Sequence, residues 1–232
     1  TADSVIVGHY VGDNALAAVG SAAPILNLLL ALFVGIATGA GIVVSQSFGA
    51  RDREGLSKGI GNCISLTLIA SLFIMVFGPL ITRPMLVLLG TPDSILNWCV
   101  SYLNIYFIGI AGFFFYNMLS GILRGLGDSV SALGFLLLAA VLNVVLDLLF
   151  VAGFNMGVSG VSLATVIAQA ISAVFCFMKL MKMGEHFDLN KSTVRLEKAI
   201  AIAGAIPAKN LTGLNFASVL TLREYTTIAC TA

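Results

Sequence analysis

Two polar side chains lie inside a long apolar stretch, and their chemistry suits cation binding. Within residues 130–151, Asn143 precedes Asp147 by four positions. On a helix this spacing brings both side chains to one face, about 6 Å apart. An ionisable group inside a membrane span costs on the order of 3 kcal/mol or more, so it usually faces a protein-lined cavity or an ion path. The alternative is a polar pair that hydrogen-bonds to a neighbouring helix and fixes the packing.

The composition indicates a polytopic α-helical membrane protein. Hydrophobic residues make up 59% of the chain and charged residues 10%, with a net charge of +1 that argues against a nucleic-acid partner. One apolar segment is short and ends at residue 7, and five have the ~20 residues that a spanning helix needs. These five run over 16–45, 59–81, 95–119, 130–151 and 161–181. We therefore predict an all-α fold that lies in a lipid bilayer.

The loops differ in charge and predict the orientation. Six Lys and Arg residues fall in or beside the loops that follow the second, fourth and sixth segments, against one in the other loops. By the positive-inside rule the side with six Lys and Arg residues is cytoplasmic.

Pro24 and Pro79 are expected to kink or end their helices, and Pro84 and Pro92 are expected in an outer loop.

Four polar side chains on different segments share roughly one depth in the outer half of the bilayer. Asp147 lies about 7 Å from the outer end of its helix at 1.5 Å per residue, and Asp3, Thr165 and Tyr102 lie at similar depths. In a bundle, Asp3, Asn143, Asp147 and Thr165 could converge. Such a pocket offers the oxygen ligands that hard cations such as Na⁺ prefer. Its two carboxylates would equally suit proton uptake.

The chemistry of an enzyme is not indicated. The sequence contains no nucleophile–base–acid set and no phosphate-binding GxxxxGK[ST] loop. Its four cysteines lack the spacing of a metal site or a disulfide framework. We expect no cofactor beyond a coupling ion.

Several stretches in the same order resemble the multidrug and toxic compound extrusion (MATE) transporters. They are DSVIVGHYVG (3–12), ALAAVG (15–20), GAGIVVSQSFGA (39–50), LRGLGD (123–128), NVVLD (143–147) and GVSGVSLAT (157–165). The resemblance covers about 180 residues.

The resemblance implies one six-helix lobe of a two-lobe, twelve-helix transporter. Residues 1–183 would be the amino-terminal lobe with an incomplete first helix, and 184–232 a cytoplasmic linker and atypical tail. There is no initiator Met, so we expect a piece of a longer chain whose second lobe is missing. The family's cation site maps onto Asp3, Asn143, Asp147 and Thr165, and a pocket tyrosine, less firmly, onto Tyr102.

The implied activity is export of cationic or neutral amphiphilic small molecules in exchange for H⁺ or Na⁺. The expected location is a plasma membrane, in particular a bacterial inner membrane. One alternative is a flippase for lipid-linked sugars, although almost no Lys or Arg lies in the spans to bind an anionic cargo. Another is a membrane fragment that does not transport.

Overall fold

The computed structural model describes residues 2–184 of the chain. Within them lie seven α-helices and one π-helical segment, Leu148–Gly153, which continues α6. The helices are α1 (Ala2–Tyr10), α2 (Asp13–Gly49), α3 (Arg53–Leu88), α4 (Asp93–Ile108), α5 (Ile110–Gly125), α6 (Ser129–Asp147) and α7 (Gly157–Lys182). Except for its first residue, the predicted linker and tail at 184–232 lies outside the described residues.

Five candidate membrane spans account for most of this helical structure. Four are single elements: α2, α3, α6 with its π-helical continuation, and α7. The fifth consists of α4 and α5, which are bent by 51° relative to each other. The 9 residues of α1 are too few to cross a bilayer, which takes ~20. The predicted all-α, polytopic membrane lobe is confirmed.

The outward surface of the helices is strongly apolar. Leu28, Phe73 and Leu137 are each at least 60% exposed. In water such a continuous apolar surface would promote association, whereas lipid chains solvate it. Two helices have a side-chain cap at their start, since Asp52 caps α3 through Gly55 N and Asp128 caps α6 through Ser131 N.

The span predicted over 95–119 is broken at Gly109, where α4 ends and α5 begins. A β-carbon at this position would lie 2.5 Å from Val166 Cγ2 and 2.8 Å from Val166 Cβ. Glycine therefore lets the bend press directly against α7. Hydropathy reports the length of an apolar segment and not its direction, so the sequence predicted a single span over 95–119 and no bend within it.

Small residues bring α2 and α5 into backbone contact. A β-carbon on Gly121 would lie 2.5 Å from the Ala37 carbonyl oxygen, and one on Gly125 would lie 2.5 Å from the Gly41 carbonyl oxygen. Helices in membranes gain van der Waals contact by this kind of close approach. The two helices thus form a tight pair on the predicted cytoplasmic half of the lobe.

The placement of Pro84 in an outer loop is wrong. Helix α3 continues past it to Leu88, so both Pro79 and Pro84 lie inside the helix. The turn after Pro84 contains Leu86, which is fully buried in the core, and this packing holds the helix together despite the missing backbone N–H. Pro92 does lie outside the helices, at the N-cap of α4.

Candidate cation site

Asp147 is the last residue of α6, at the point where the backbone changes to π-helical geometry. A π-helical turn is wider than an α-helical one and often occurs at functional sites. The Asp147 side chain is 0% exposed. Neither of its carboxylate oxygens has a hydrogen-bond partner among residues 2–184.

Asn143 lies one turn before Asp147 and contacts α7. Its Nδ2 donates to Thr165 Oγ1 at 3.1 Å. The Thr165 hydroxyl has two acceptors in reach, the Val161 carbonyl oxygen at 3.1 Å and Asp3 Oδ2 at 3.5 Å. A hydroxyl carries one proton, so the nearer carbonyl takes it and the contact with Asp3 is a long, weak one. Hydrogen bonds to Asn143 of α6 and to the Val161 carbonyl of its own helix therefore fix the position of the Thr165 side chain.

The carboxyl groups of Asp3 and Asp147 lie within range of strong electrostatic interaction, and α1 packs against α6. This agrees with the unpaired oxygens of Asp147, because two ionised carboxylates are both acceptors and can hydrogen-bond only when one is protonated. In a medium of low dielectric constant, repulsion between two such charges disfavours ionisation of both. The pair can therefore hold a proton or another cation between its oxygens.

Tyr102 borders this group from α4. It is 4% exposed and lies within electrostatic range of Asp3 and Asp147. Tyr106 follows one turn later, with its ring centroid 6.4 Å from that of Tyr102, and it also lies within range of Asp3. The sequence analysis missed Tyr106, although its spacing of four residues from Tyr102 could have revealed it.

Three further polar atoms inside the lobe were not predicted. Asn104 Oδ1, Gln169 Oε1 and Ser172 Oγ are buried and have no hydrogen-bond partner in the described part of the chain. Gln169 and Ser172 follow Thr165 at intervals of four and three residues, which is the signal that could have identified them. Asn104 follows no predicted site residue at such an interval.

The chemistry of the site follows from its donor set. Two carboxylates, one carboxamide and one hydroxyl come from α1, α6 and α7. These groups suit a hard cation or a proton. Residues 2–184 contain no cluster of three or more His, Cys, Asp or Glu side chains that could hold a metal ion.

Related sequences have names that refer to drug resistance and export. The chain is 33% identical over 207 residues to the probable multidrug resistance protein YpnP of Bacillus subtilis, a match that covers 89% of this chain and 46% of YpnP. It is 24% identical over 194 residues to the multidrug export protein MepA of Staphylococcus saprophyticus, covering 83% and 43%. The chain thus spans less than half the length of these curated relatives.

Solved structures with the same fold are also transporters. An inward-facing multidrug resistance MATE family transporter of the MOP superfamily matches with a TM-score of 0.81 and 26% identity, over 87% of this chain and 46% of that one. A MATE crystal structure in the bent conformation matches with a TM-score of 0.77 and 27% identity, over 82% and 42%. The family model described as MatE matches residues 1–149. Because that match covers more than half of the 232 residues, the chain belongs to the MatE family.

Proposed function

We propose that this chain forms the cation-binding lobe of an exporter that moves organic cations or neutral amphiphilic drugs in exchange for H⁺ or Na⁺. The observation that carries the proposal is the Asp147 carboxylate, which is fully buried, has no donor among residues 2–184 and lies beside Asp3. A cluster with only a packing role would have its polar groups paired, as Asn143 and Thr165 are. A cation bound at Asp147 would remove the cost of its unpaired charge.

Ion binding would act on the arrangement of three helices. Asp3 lies on α1, Asn143 and Asp147 on α6, and Thr165 on α7. Without a cation, repulsion between the Asp3 and Asp147 carboxylates favours separation of α1 from α6. With a cation, the same groups attract a common partner and draw these helices together. An ion that binds one arrangement tenfold more tightly shifts the equilibrium by about 1.4 kcal/mol, and a drug that prefers the other arrangement is released by linkage.

The two candidate ions make different demands on the site. A proton needs only the paired carboxyl groups of Asp3 and Asp147. A Na⁺ ion needs several oxygens around it, yet Asn143 presents its amide nitrogen, not its oxygen, to Thr165. A Na⁺ ion would have to compete with this hydrogen bond for the Thr165 oxygen. We therefore place H⁺ first and Na⁺ second.

Cargo and location follow from charge and from the relatives. The five long apolar segments of the sequence hold a single Lys or Arg, Lys179, which disfavours an anionic cargo, and the relatives named above have names that refer to multidrug resistance or export. We propose a multi-pass protein of a bacterial plasma membrane. Since the chain spans less than half of its relatives, transport is proposed for the full-length gene product, in which a second six-helix lobe completes the path.

Ethidium efflux from cells that express this full-length product tests the proposal. Efflux is measured with an imposed pH gradient or an imposed Na⁺ gradient, for the wild type and for Asp147→Asn. The matched control is Asp93→Asn, since Asp93 is an exposed carboxylate in the first turn of α4. We expect efflux to follow one gradient in the wild type and the control and to collapse in Asp147→Asn. Gradient-driven efflux that survives in Asp147→Asn would exclude the role proposed for this residue.

A further inference from the structure

One face of α7 carries polar side chains along most of its length. From Thr165 they recur at intervals of four and three residues, at Gln169, Ser172, Cys176 and Lys179. These intervals keep side chains on one helix face, so the five residues form a continuous line, which we call the α7 seam. It begins at the cation site and ends in the last turn of α7, which the positive-inside rule places at the cytoplasmic surface.

Both ends of the α7 seam meet polar groups of neighbouring helices. At the site end, Thr165 contacts Asn143 of α6. At the other end, Lys179 Nζ lies 3.1 Å from Asp128 Oδ2 at the start of α6. Cys176, one turn before Lys179, lies within electrostatic range of Tyr116 and Arg124 of α5.

Arg124 links this end of the seam to open space. Its Nη1 donates to Ser120 Oγ at 2.9 Å, and Ser120 in turn bonds to Tyr116. Arg124 also lines an open surface groove of about 220 Å³ along the contact of α2 with α5. That volume holds several waters, because one water needs roughly 10–15 Å³ of such space.

The middle of the seam lacks partners. Ser172 is 0% exposed, and Ser172 Oγ and Gln169 Oε1 are buried atoms without a hydrogen-bond partner in residues 2–184. These atoms are already enclosed by this lobe, so a second lobe docked outside would not reach them. Along the face of α6 that carries Asn143, Ala139 and Ala132 are small and buried, and Phe135 between them is partly buried. Buried polar atoms without a partner in the protein are the groups that bridging water satisfies.

We propose that the α7 seam holds a chain of water molecules that carries protons from the Asp3–Asp147 site to the cytoplasmic surface, with Gln169 and Ser172 as the groups that position the water. The inference rests on the proposed function with H⁺ as the coupling ion. It assigns proton release to a route inside this lobe, separate from the cleft through which a drug would pass.

The proton balance is simple. The O–H bond of the protonated carboxyl breaks and a new O–H bond forms on the first water, which passes one of its own protons to the next. The Ser172 hydroxyl can accept a proton as it gives up its own, whereas the Gln169 carbonyl only accepts a hydrogen bond and orients a water. The last water releases the proton to the solvent near Lys179 and Asp128. Asp147 returns to the carboxylate form.

Proteoliposomes that contain the full-length product and a luminal pH dye test the route. Two variants, Ser172→Ala and Gln169→Leu, remove polar groups from the seam. A third, Ser172→Thr, keeps the hydroxyl. The control is Ser71→Ala, because Ser71 on α3 is equally buried but donates to the Leu68 carbonyl oxygen at 2.9 Å. Ethidium-driven proton flux is compared with equilibrium ethidium binding over a range of pH.

We expect proton flux about tenfold slower in Ser172→Ala and in Gln169→Leu, which corresponds to a barrier raised by about 1.4 kcal/mol. Ethidium affinity and its pH dependence should stay unchanged, and Ser172→Thr and Ser71→Ala should match the wild type. If Gln169→Leu fails to fold, Ser172→Ala, which removes one oxygen atom, decides the test. Wild-type flux in folded Ser172→Ala, or a loss of flux with an equal loss of affinity, overturns the route.

Failure of the proposed function looks different. If the wild type itself shows neither ethidium-driven proton flux nor pH-dependent ethidium binding, proton coupling is wrong and the route falls with it. If the wild type shows both and the seam variants behave like Ser71→Ala, only the route is wrong.

Discussion

Replacement of Gly109 by alanine tests how the bend between α4 and α5 is fixed. Gly109 has φ −94°, which alanine adopts without strain. Judged by the backbone alone, Gly109→Ala should stabilise the fold by about 0.4–1 kcal/mol, because alanine leaves the unfolded chain fewer conformations. The contact with Val166 reverses the sign of this expected change in stability. The new β-carbon would lie 2.5 Å from Val166 Cγ2.

The size of the penalty follows from these distances. Ordinary contacts begin at 3.4 Å, and Val166 Cγ1 lies nearer still than Cγ2, so α7 must move away by at least about 0.9 Å, or Val166 must leave its preferred rotamer. Overpacking of this kind costs typically 1–3 kcal/mol. The net expectation is a destabilisation of about 1–2 kcal/mol, or roughly 2–8 °C in the unfolding midpoint of a domain of this size.

Thermal unfolding in detergent measures this effect, with two further variants as controls. Gly134→Ala on α6 has no atom within 4 Å of the new β-carbon, so it should be neutral or slightly stabilising. Val166→Ala added to Gly109→Ala removes both methyl groups and should recover part of the loss, because Val166 Cβ at 2.8 Å still crowds the site. A midpoint unchanged in Gly109→Ala, or not improved by Val166→Ala, would refute the packing explanation of the bend.

Two other substitutions probe the polar contacts. Thr165→Val keeps the shape of the side chain but leaves the amide of Asn143 without its acceptor, so we expect a loss of about 1–3 kcal/mol in unfolding free energy; an unchanged midpoint would exclude the 3.1 Å bond as a stabilising contact. Burial raises the pKa of Asp128, but the Ser131 hydrogen bonds and the Lys179 ammonium outweigh burial and lower the pKa below its ordinary 3.8. A lowered folded-state pKa means that the stabilisation is present above about pH 4 and disappears as the pH falls through the lowered value. Asp128→Asn, which keeps a capping side chain, should therefore be less stable than the wild type by ~0.5–1 kcal/mol at pH 7, with the difference vanishing in acid; a difference that persists in acid would contradict the ion pair.

The sequence predicted the parts of the fold that depend on composition and on local spacing. Runs of about 20 apolar residues identified the spans, because a helix needs that length and an apolar surface to cross the hydrocarbon core of a bilayer. The spacing of Asn143 and Asp147 placed both on one face of α6, and the structure finds Asn143 bonded to Thr165 and Asp147 beside Asp3. Their role as cation ligands remains a prediction, as does the orientation of the lobe in the bilayer.

The features that the sequence did not predict depend on contacts between helices. The break at Gly109 exists because Val166 of another helix lies against it. Pro84 lies inside α3 because the buried Leu86 anchors the turn that follows. Gln169 and Ser172 became notable only once their buried, unpaired oxygens were visible. None of these facts can be read from one segment taken alone.

The central claim is that the Asp3–Asp147 site exchanges a cation for the drug. It is tested most directly by titration calorimetry of ethidium binding to the purified full-length product, in two buffers of different ionisation enthalpy and with or without Na⁺. The difference between buffers counts the protons released on binding. We predict the release of about one proton per ethidium in the wild type and none in Asp147→Asn, as linkage requires. Equal proton release in both proteins would contradict the claim. Ethidium binding that Na⁺ weakens in the wild type, with no proton release, would identify Na⁺ as the coupling ion.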